Sequence, residues 1–218
     1  MQISYISYEE SKQIDAMLTQ NKSFTMDKLI DQAGSRISNW IDDHINNQAL
    51  IGVIGTGNNG KDVMSAFKKL TKNKELYLFL KNNKIKETDA FKSLMGQKKI
   101  TIIDKLPLNS NTHTIIDGLF GTGLNRPLTK ETESLINRIN QSKNIVSIDI
   151  PSGLREDNRT NVHVIATVTL SMMFPKNVFL DSKKREKCGD IYLMNFDIPK
   201  KDLHPYILPN TIDPYIKL

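Results

Sequence analysis

The residues best suited to chemistry fall in three short stretches. In the first, Ile54-Gly55-Thr56-Gly57-Asn58-Asn59-Gly60-Lys61-Asp62-Val63, an apolar run turns into a Gly- and Asn-rich loop and then into a helical pattern. Such a strand-loop-helix junction is where α/β proteins take up phosphate. Glycines let the backbone come close, and the amides of the new helix point at the anion with the positive end of its dipole. The spacing is neither G-x-G-x-x-G nor the G-x-x-x-x-G-K-[ST] phosphate loop, since Lys61 is followed by Asp62. Taken alone, a ligand-free Asn59-Gly60 turn explains it equally well. In the second stretch Thr114-Ile115-Ile116-Asp117 passes into Gly118-Leu119-Phe120-Gly121-Thr122-Gly123-Leu124-Asn125-Arg126-Pro127, and in the third Ile145 to Ile150, with Asp149 inside it, passes into Pro151-Ser152-Gly153-Leu154. Each is a β-branched run carrying an aspartate at or near its C-terminal end. In an open parallel sheet that end is where ligands sit, so the three loops can line one crevice.

The elements that must position these loops alternate along the chain. Met26, Leu29, Ile30, Ala33, Ile37, Trp40 and Ile41 recur at helical steps and predict an amphipathic helix over Thr25 to His44, with a shorter one before it around Glu9 to Leu18. Strands are predicted over Ala49 to Ile54, Leu76 to Leu80, Ile100 to Ile103, Thr114 to Asp117, Ile145 to Ile150, Val164 to Leu170 and Asp190 to Met194. Helices are predicted near Lys61 to Leu70, near Thr88 to Met95, and after Thr129, which can cap a helix with Leu135, Ile136 and Ile139 facing inward. Nearly continuous apolar strands alternating with helices predict a three-layer αβα sandwich around a Rossmann-like, mostly parallel sheet. The tail after Pro199, with Pro205, Pro209 and Pro214, is expected to lie extended on the surface.

A length of 218 residues with 39% apolar content suits one domain spanning residues 1–218. No apolar stretch approaches the roughly 20 residues needed to span a bilayer, and the first residues lack a signal-peptide core, so no membrane association and a soluble, cytoplasmic protein are expected. A net charge of +6 favours anionic ligands. The lysines are scattered and no aromatic-interleaved binding motif accompanies them, so nucleic acid is not an expected partner. Cys188 is the lone cysteine and reads as an ordinary side chain; His44, His113, His163 and His204 follow no zinc-ligand spacing. A serine hydrolase using Ser152 is a poor reading, because no G-x-S-x-G elbow surrounds it.

Read together, the loops resemble the NAD(P)H-hydrate epimerase family, the YjeF N-terminal domain. The family's G-N-N-G-G-D appears as Gly57-Asn58-Asn59-Gly60-Lys61-Asp62, its D-x-L-F-G-T-G-L-x-R-P as Asp117 to Pro127, and its D-I-P-S-G-L as Asp149 to Leu154. The M-E-x-A-G-like helix is echoed in Leu29 to Gly34, and the late P-K in Pro175-Lys176. The resemblance implies an epimerase that interconverts the R and S forms of hydrated NADH and NADPH (NADHX and NADPHX), a homodimer, and a separate dehydratase acting on the product. The alternative is an inactive nucleotide-binding or scaffold homologue. Carried over residue by residue, substrate would contact Asn58, Asn59, Gly60, Lys61, Asp62, Gly121, Thr122, Gly123, Leu124, Asn125, Arg126, Pro127 and Asp149. One potassium ion per subunit would be held by Asn59, Asp117 and Ser152, all hard oxygen donors. Asp149 is the candidate acid-base residue. Lys176 is a lesser candidate for a supporting charge or phosphate contact, and Arg126 for a bidentate phosphate contact. The chain departs from the family at Lys61 and Val63, where glycines are usual, and this puts ligand approach and the preference between NADHX and NADPHX in question.

Overall fold

The strands that carry the three loops are buried on both faces, as parallel strands covered by helices must be. All six residues of β1 (Ala49–Ile54) are buried, and β4 (His113–Gly118) is buried from Thr114 onward. The computed structural model describes residues 3–20, 24–107, 112–157, 162–208, 211 and 213–218. Strands β2 (Glu75–Leu80), β3 (Ile100–Ile103), β5 (Ile145–Ile148), β6 (Val168–Met172), β7 (Asp190–Met194) and β8 (Tyr215–Lys217) complete an eight-stranded sheet in the order β3-β2-β1-β4-β5-β6-β7-β8. Every pairing is parallel except β7 with β8. The order reverses between β1 and β4, the switch point at which such sheets open a crevice.

Alternation along the strands divides the core in two. Leu50 and Ile54 of β1 face a large cluster shared with α1 (Tyr8–Gln20), α2 (Met26–His44), α3 (Asn58–Lys69) and α4 (Asp89–Met95). Ile51 and Val53 face a second cluster with Ile136 and Ile139 of α5 (Lys130–Ile139). The three layers are therefore unequal, with the thicker helical layer on the side of α1 to α4. A third cluster beside the short helix α6 (Ser182–Arg185) contains Cys188, whose thiol burial pushes up to about 12, which leaves it an unreactive core residue. No helix among the described residues is long and apolar enough to cross a membrane.

The helices start where the sequence offers caps. Thr25 accepts a hydrogen bond from the Lys28 amide, and Thr129 accepts one from the Thr132 amide. Helix α3 begins three residues earlier than expected, at Asn58, so the Gly- and Asn-rich stretch is the first helical turn itself. Strand β5 ends at Ile148 instead of Ile150, because Asp149 adopts φ 67° and turns the chain away after a last amide bond to the Leu170 carbonyl. The strand expected over Val164 to Leu170 lies at Val168–Met172; before it, the Val164 and Ala166 amides bond to the carbonyls of Ser152 and Lys187, outside the sheet pairing.

The tail departs further from expectation. Leu203 is buried in the main core, and Tyr215–Lys217 pairs with β7 as an antiparallel edge strand. Tyr215 Oη donates to Asp43 Oδ2 at 2.6 Å and Lys217 Nζ lies 2.8 Å from Asp190 Oδ2, which fasten that edge. Pro209 lies outside the described residues.

Helices α2 and α3 approach closely at Gly34, where an added Cβ would lie 2.8 Å from the Ser65 backbone carbon and closer still to its side chain. Gly34→Ala is expected to lower stability by about 1–3 kcal/mol in urea denaturation, since a packed interface cannot absorb a methyl group without moving backbone. Gly96→Ala, with only ordinary contacts and a right-handed helical conformation, is expected to be neutral or stabilising by up to about 1 kcal/mol.

Candidate active site

A cavity of about 380 Å³ opens at the C-terminal ends of β1, β4 and β5, a size within the range of roughly 300–1,000 Å³ typical of small-molecule sites. Its floor and one side come from Thr56 to Asn59, Asp62 and Asp149, another side from the loop Leu119 to Arg126, a third from Ser11, Ile14 and Asp15 of α1 with Met26, Leu29 and Ala33 of α2, and a further one from Met172 to Phe174 and Phe196. Helix α3 starts beside this space with no side-chain cap on its N-terminal residue Gly57. Its first-turn amides thus offer an anion site. Arg126 stands exposed on the wall with no ion-pair partner among the described residues.

Asp149 is held at the centre by an unusual backbone. The Ile150 amide donates to the Ile148 carbonyl at 2.8 Å around Asp149, closing a γ-turn with positive φ. Such a turn is strained by roughly 1–3 kcal/mol and is kept only where its surroundings over-determine it. At the end of the neighbouring strand, Met173 repeats the device: its φ is 56°, and the Phe174 amide donates to the Met172 carbonyl at 2.6 Å. Between these turns lies Lys176, 1% exposed. Its Nζ sits 2.8 Å from Asp149 Oδ1 and donates to the carbonyls of Met172 at 3.0 Å and Phe174 at 2.9 Å. The phosphate role considered for Lys176 is therefore corrected: the amine is enclosed by the chain and fixes Asp149. The other carboxylate oxygen, Oδ2, accepts from the Thr122 amide at 3.4 Å.

Around Asp149 stand two further carboxyls. Burial, reinforced by the charges of Asp149 and Asp15, raises Asp62 well above the usual carboxylate range. Burial, with Asp149 next, pushes Asp15 up to about 6, against a smaller lowering effect of Lys176. Both are drawn to the neutral form by an enclosure that already holds a charged pair.

Asn59, Asp117 and Ser152 all meet the loop that follows β4. Asp117 is fully buried; its Oδ1 accepts from Ser152 Oγ at 2.6 Å and the Leu119 amide at 3.3 Å, and its Oδ2 from the Ser152 amide at 3.0 Å and Ser147 Oγ at 2.8 Å. Ser152 Oγ accepts from the Phe120 amide at 2.9 Å, and Asn59 Nδ2 donates to the Ile148 carbonyl at 2.7 Å. A Cβ on Gly121 would stand 2.4 Å from Asn59 Oδ1, so glycine there leaves room for the amide oxygen, which receives no donor among the described residues. Burial raises Asp117, and no cationic side chain among the described residues lies beside it to offset this. A buried carboxylate lacking a counter-charge among the described residues, beside an amide oxygen and a hydroxyl, is a donor set that fits a hard cation.

Of the residues expected to contact substrate, Asn58, Asn59, Asp62, Gly121, Thr122, Gly123, Leu124, Asn125, Arg126 and Asp149 line the cavity. Gly60, Lys61 and Pro127 stand outside its wall. Gly60 faces the Gly55 carbonyl, and Lys61, though near enough to Asp62 to lower its pKa slightly against burial, is not part of the lining. Val63 is fully buried in the core, in space that Gly118 leaves open, so this departure does not obstruct the cavity. Sequence reasoning missed the N-terminal segment. Ile6 bridges Lys176 through the Pro175 carbonyl and the Asn177 amide, Tyr8 Oη donates to the Leu154 carbonyl at 3.1 Å, and α1 brings Asp15 to the cavity. The available signal was Asp15 flanking the apolar pair Ile14 and Leu18, both of which are buried.

A doubly wound sheet with a crevice at its switch point defines an open-sheet α/β protein. The family described as YjeF-related protein N-terminus matches residues 26–178, and the chain belongs to that family. An NAD(P)H-hydrate epimerase of Levilactobacillus brevis is 26% identical over 205 residues, covering 90% of this chain and 95% of that protein. One of Anaerococcus prevotii is 31% identical over 166 residues, covering 68% and 75%. The bifunctional NAD(P)H-hydrate repair enzyme Nnr of Dictyoglomus turgidum is 27% identical over 209 residues; the match covers 89% of this chain but only 40% of that enzyme. The crystal structure of yeast ynu0 shares the fold, with a TM-score of 0.79 at 20% identity over 99% of this chain and all of that one.

Lys176→Met is expected to cost about 3–5 kcal/mol in urea denaturation, because it strands the Asp149 charge in an enclosed site. Adding Asp149→Asn to it is expected to restore part of that loss. Additive losses in the double variant would argue against the pair.

Proposed function

We propose that this protein interconverts the two C6 epimers of hydrated NADH and NADPH, and that Asp149 moves the protons of the reaction. The observation that carries this reading is the Asp149 carboxylate, set on a strained turn inside the switch-point cavity and locked by Lys176. Two relatives of comparable length are named for this activity.

The chemistry asks little of the protein. The reduced ring nitrogen N1 can expel the C6 hydroxyl as an iminium forms, and water can add to the other face. The departing oxygen must be protonated and the incoming water must lose a proton, with no base reaching C5, where proton loss would give dehydration. The first turn of α3 and Arg126 supply complementary charge for the substrate's phosphates. Asn59, Asp117 and Ser152 would hold potassium, whose fixed charge would balance Asp117 and steady the loops that meet there. Neither Lys61 nor Val63 intrudes on the cavity, which favours an enzyme over an inactive scaffold. The remaining expectations are action in the cytoplasm, a dehydratase partner and a homodimer. The dimer contact must lie elsewhere than the apolar stripe of α2, which is spent in the core; sedimentation equilibrium reports it.

In potassium buffer the purified protein is expected to speed equilibration of separated R- and S-NAD(P)HX, followed by chromatography. Asp149→Ala should slow it by about 10²–10⁴-fold with the circular dichroism spectrum retained. A rate no higher than background for the parent protein would refute the reading. Exchange of potassium for tetramethylammonium should lower the melting temperature, since a cation bound only by the folded state stabilises it; an unchanged melting temperature would count against the cation site.

A further inference from the structure

Asp15 stands on the cavity wall, and the clamp around Asp149 makes no use of it. Its backbone carbonyl accepts from Thr19 Oγ1 at 2.9 Å, but its carboxyl has no hydrogen bond or ion pair with any described residue. Helix α1 cannot roll to carry it away, because Ile14 and Leu18 lock one side into the core. The chain just before the helix is fastened to the Lys176 segment by Ile6, and the first residue of the helix, Tyr8, to the loop after β5. A solvated surface acid would gain nothing from such a setting. This one is held on the cavity wall near Asp149, where burial first and the Asp149 charge second disfavour its ionised form. For stability alone, a neutral side chain would serve better.

We propose that Asp15 is a second proton carrier of the epimerisation, acting on the face of the nicotinamide ring opposite to Asp149. The proposal rests on the epimerase reading. Starting from one epimer, the C6–O bond breaks as the N1 lone pair forms the C6=N1 bond, and the Asp15 carboxyl gives its proton to the departing oxygen, releasing water. On the other face a water oxygen forms the new C6–O bond, its proton passes to the Asp149 carboxylate, and the iminium π pair returns to N1. The reverse direction begins with Asp149 protonated and Asp15 ionised. Division of labour between two carboxyls on opposite faces is the arrangement by which inverting glycosidases handle a comparable planar cation. With one carboxyl alone, the ring would have to turn over or the water pass around it. Among the described residues, the charged and titratable groups that face Asp15 are Asp149, Asp62 and Lys176, with Lys12 on its own helix.

The test is Asp15→Asn, assayed for epimer equilibration across pH in the full chain with potassium. The rate constant is expected to fall by about 10²-fold or more with KM within about threefold of the parent, and the ionisation near pH 6 should vanish from the rate profile. Asp15→Glu should recover part of the rate, and added formate should partly rescue Asp15→Ala. The melting temperature of Asp15→Asn should equal or exceed the parent's at alkaline pH. The folded-state pKa of Asp15 is raised, so its contribution to stability is full below the unfolded pKa and lost as pH rises through about 6. An active parent with an equally active Asp15→Asn of unchanged pH profile would overturn this proposal alone. So would lost activity that neither glutamate nor formate restores. A parent with no activity above background would overturn the epimerase reading and this proposal with it.

Discussion

One fully buried carboxylate, Asp117, holds together the parts of this protein that matter for chemistry. Its four accepted hydrogen bonds come from the chain after β4, from Ser147 within β5 and from Ser152 in the loop after β5. Ser152 passes the connection on to the Phe120 amide. Hydrogen bonds to an ionised acceptor are worth about 1.5–3 kcal/mol each, roughly twice a neutral one. Two loops that share no sheet ladder are thereby tied as one body. Asn59 joins them by donating to the last carbonyl of β5, which brings the start of α3 into the same body.

On that base the site is built from groups that would each be unfavourable alone. Asp149 occupies a strained turn, Lys176 is a buried amine, and Asp15 and Asp62 are carboxyls that burial and the nearby Asp149 charge push toward neutrality. Sites that conflict with local stability in this way are where function concentrates, and the surrounding structure must hold them in place. Here the support comes from the sheet on one side and, on the other, from an N-terminal segment that bridges to Lys176 and closes the cavity with α1.

Much of this was legible in the sequence. The polarity of the three loops follows from apolar runs that end on Asp or Gly, and the alternation of strands with helical stripes implies a parallel sheet. Asp117, Asp149 and Ser152 stand out because each interrupts or closes such a run. Features that depend on contact between distant segments were not legible. Lys176 reads as a surface lysine until Ile6, Met172 and Phe174 are seen to enclose it. Asp15 reads as the polar flank of a short helix until the helix is placed over the crevice. The tail reads as loose because its prolines hide a short edge strand, whose pairing is set by β7 and not by its own propensity. The Gly-Asn stretch reads as a loop because asparagine and glycine favour turns, yet its position after β1 makes it a helix start.

Whether Asp117 binds the two loops into one unit is read from amide hydrogen exchange of Asp117→Asn against the parent chain. The Leu119, Phe120 and Ser152 amides should exchange about 10–100-fold faster in the variant, the loss expected when one charged acceptor is removed, while the β1 amides stay unchanged. Equal protection of those three amides in both proteins would contradict it.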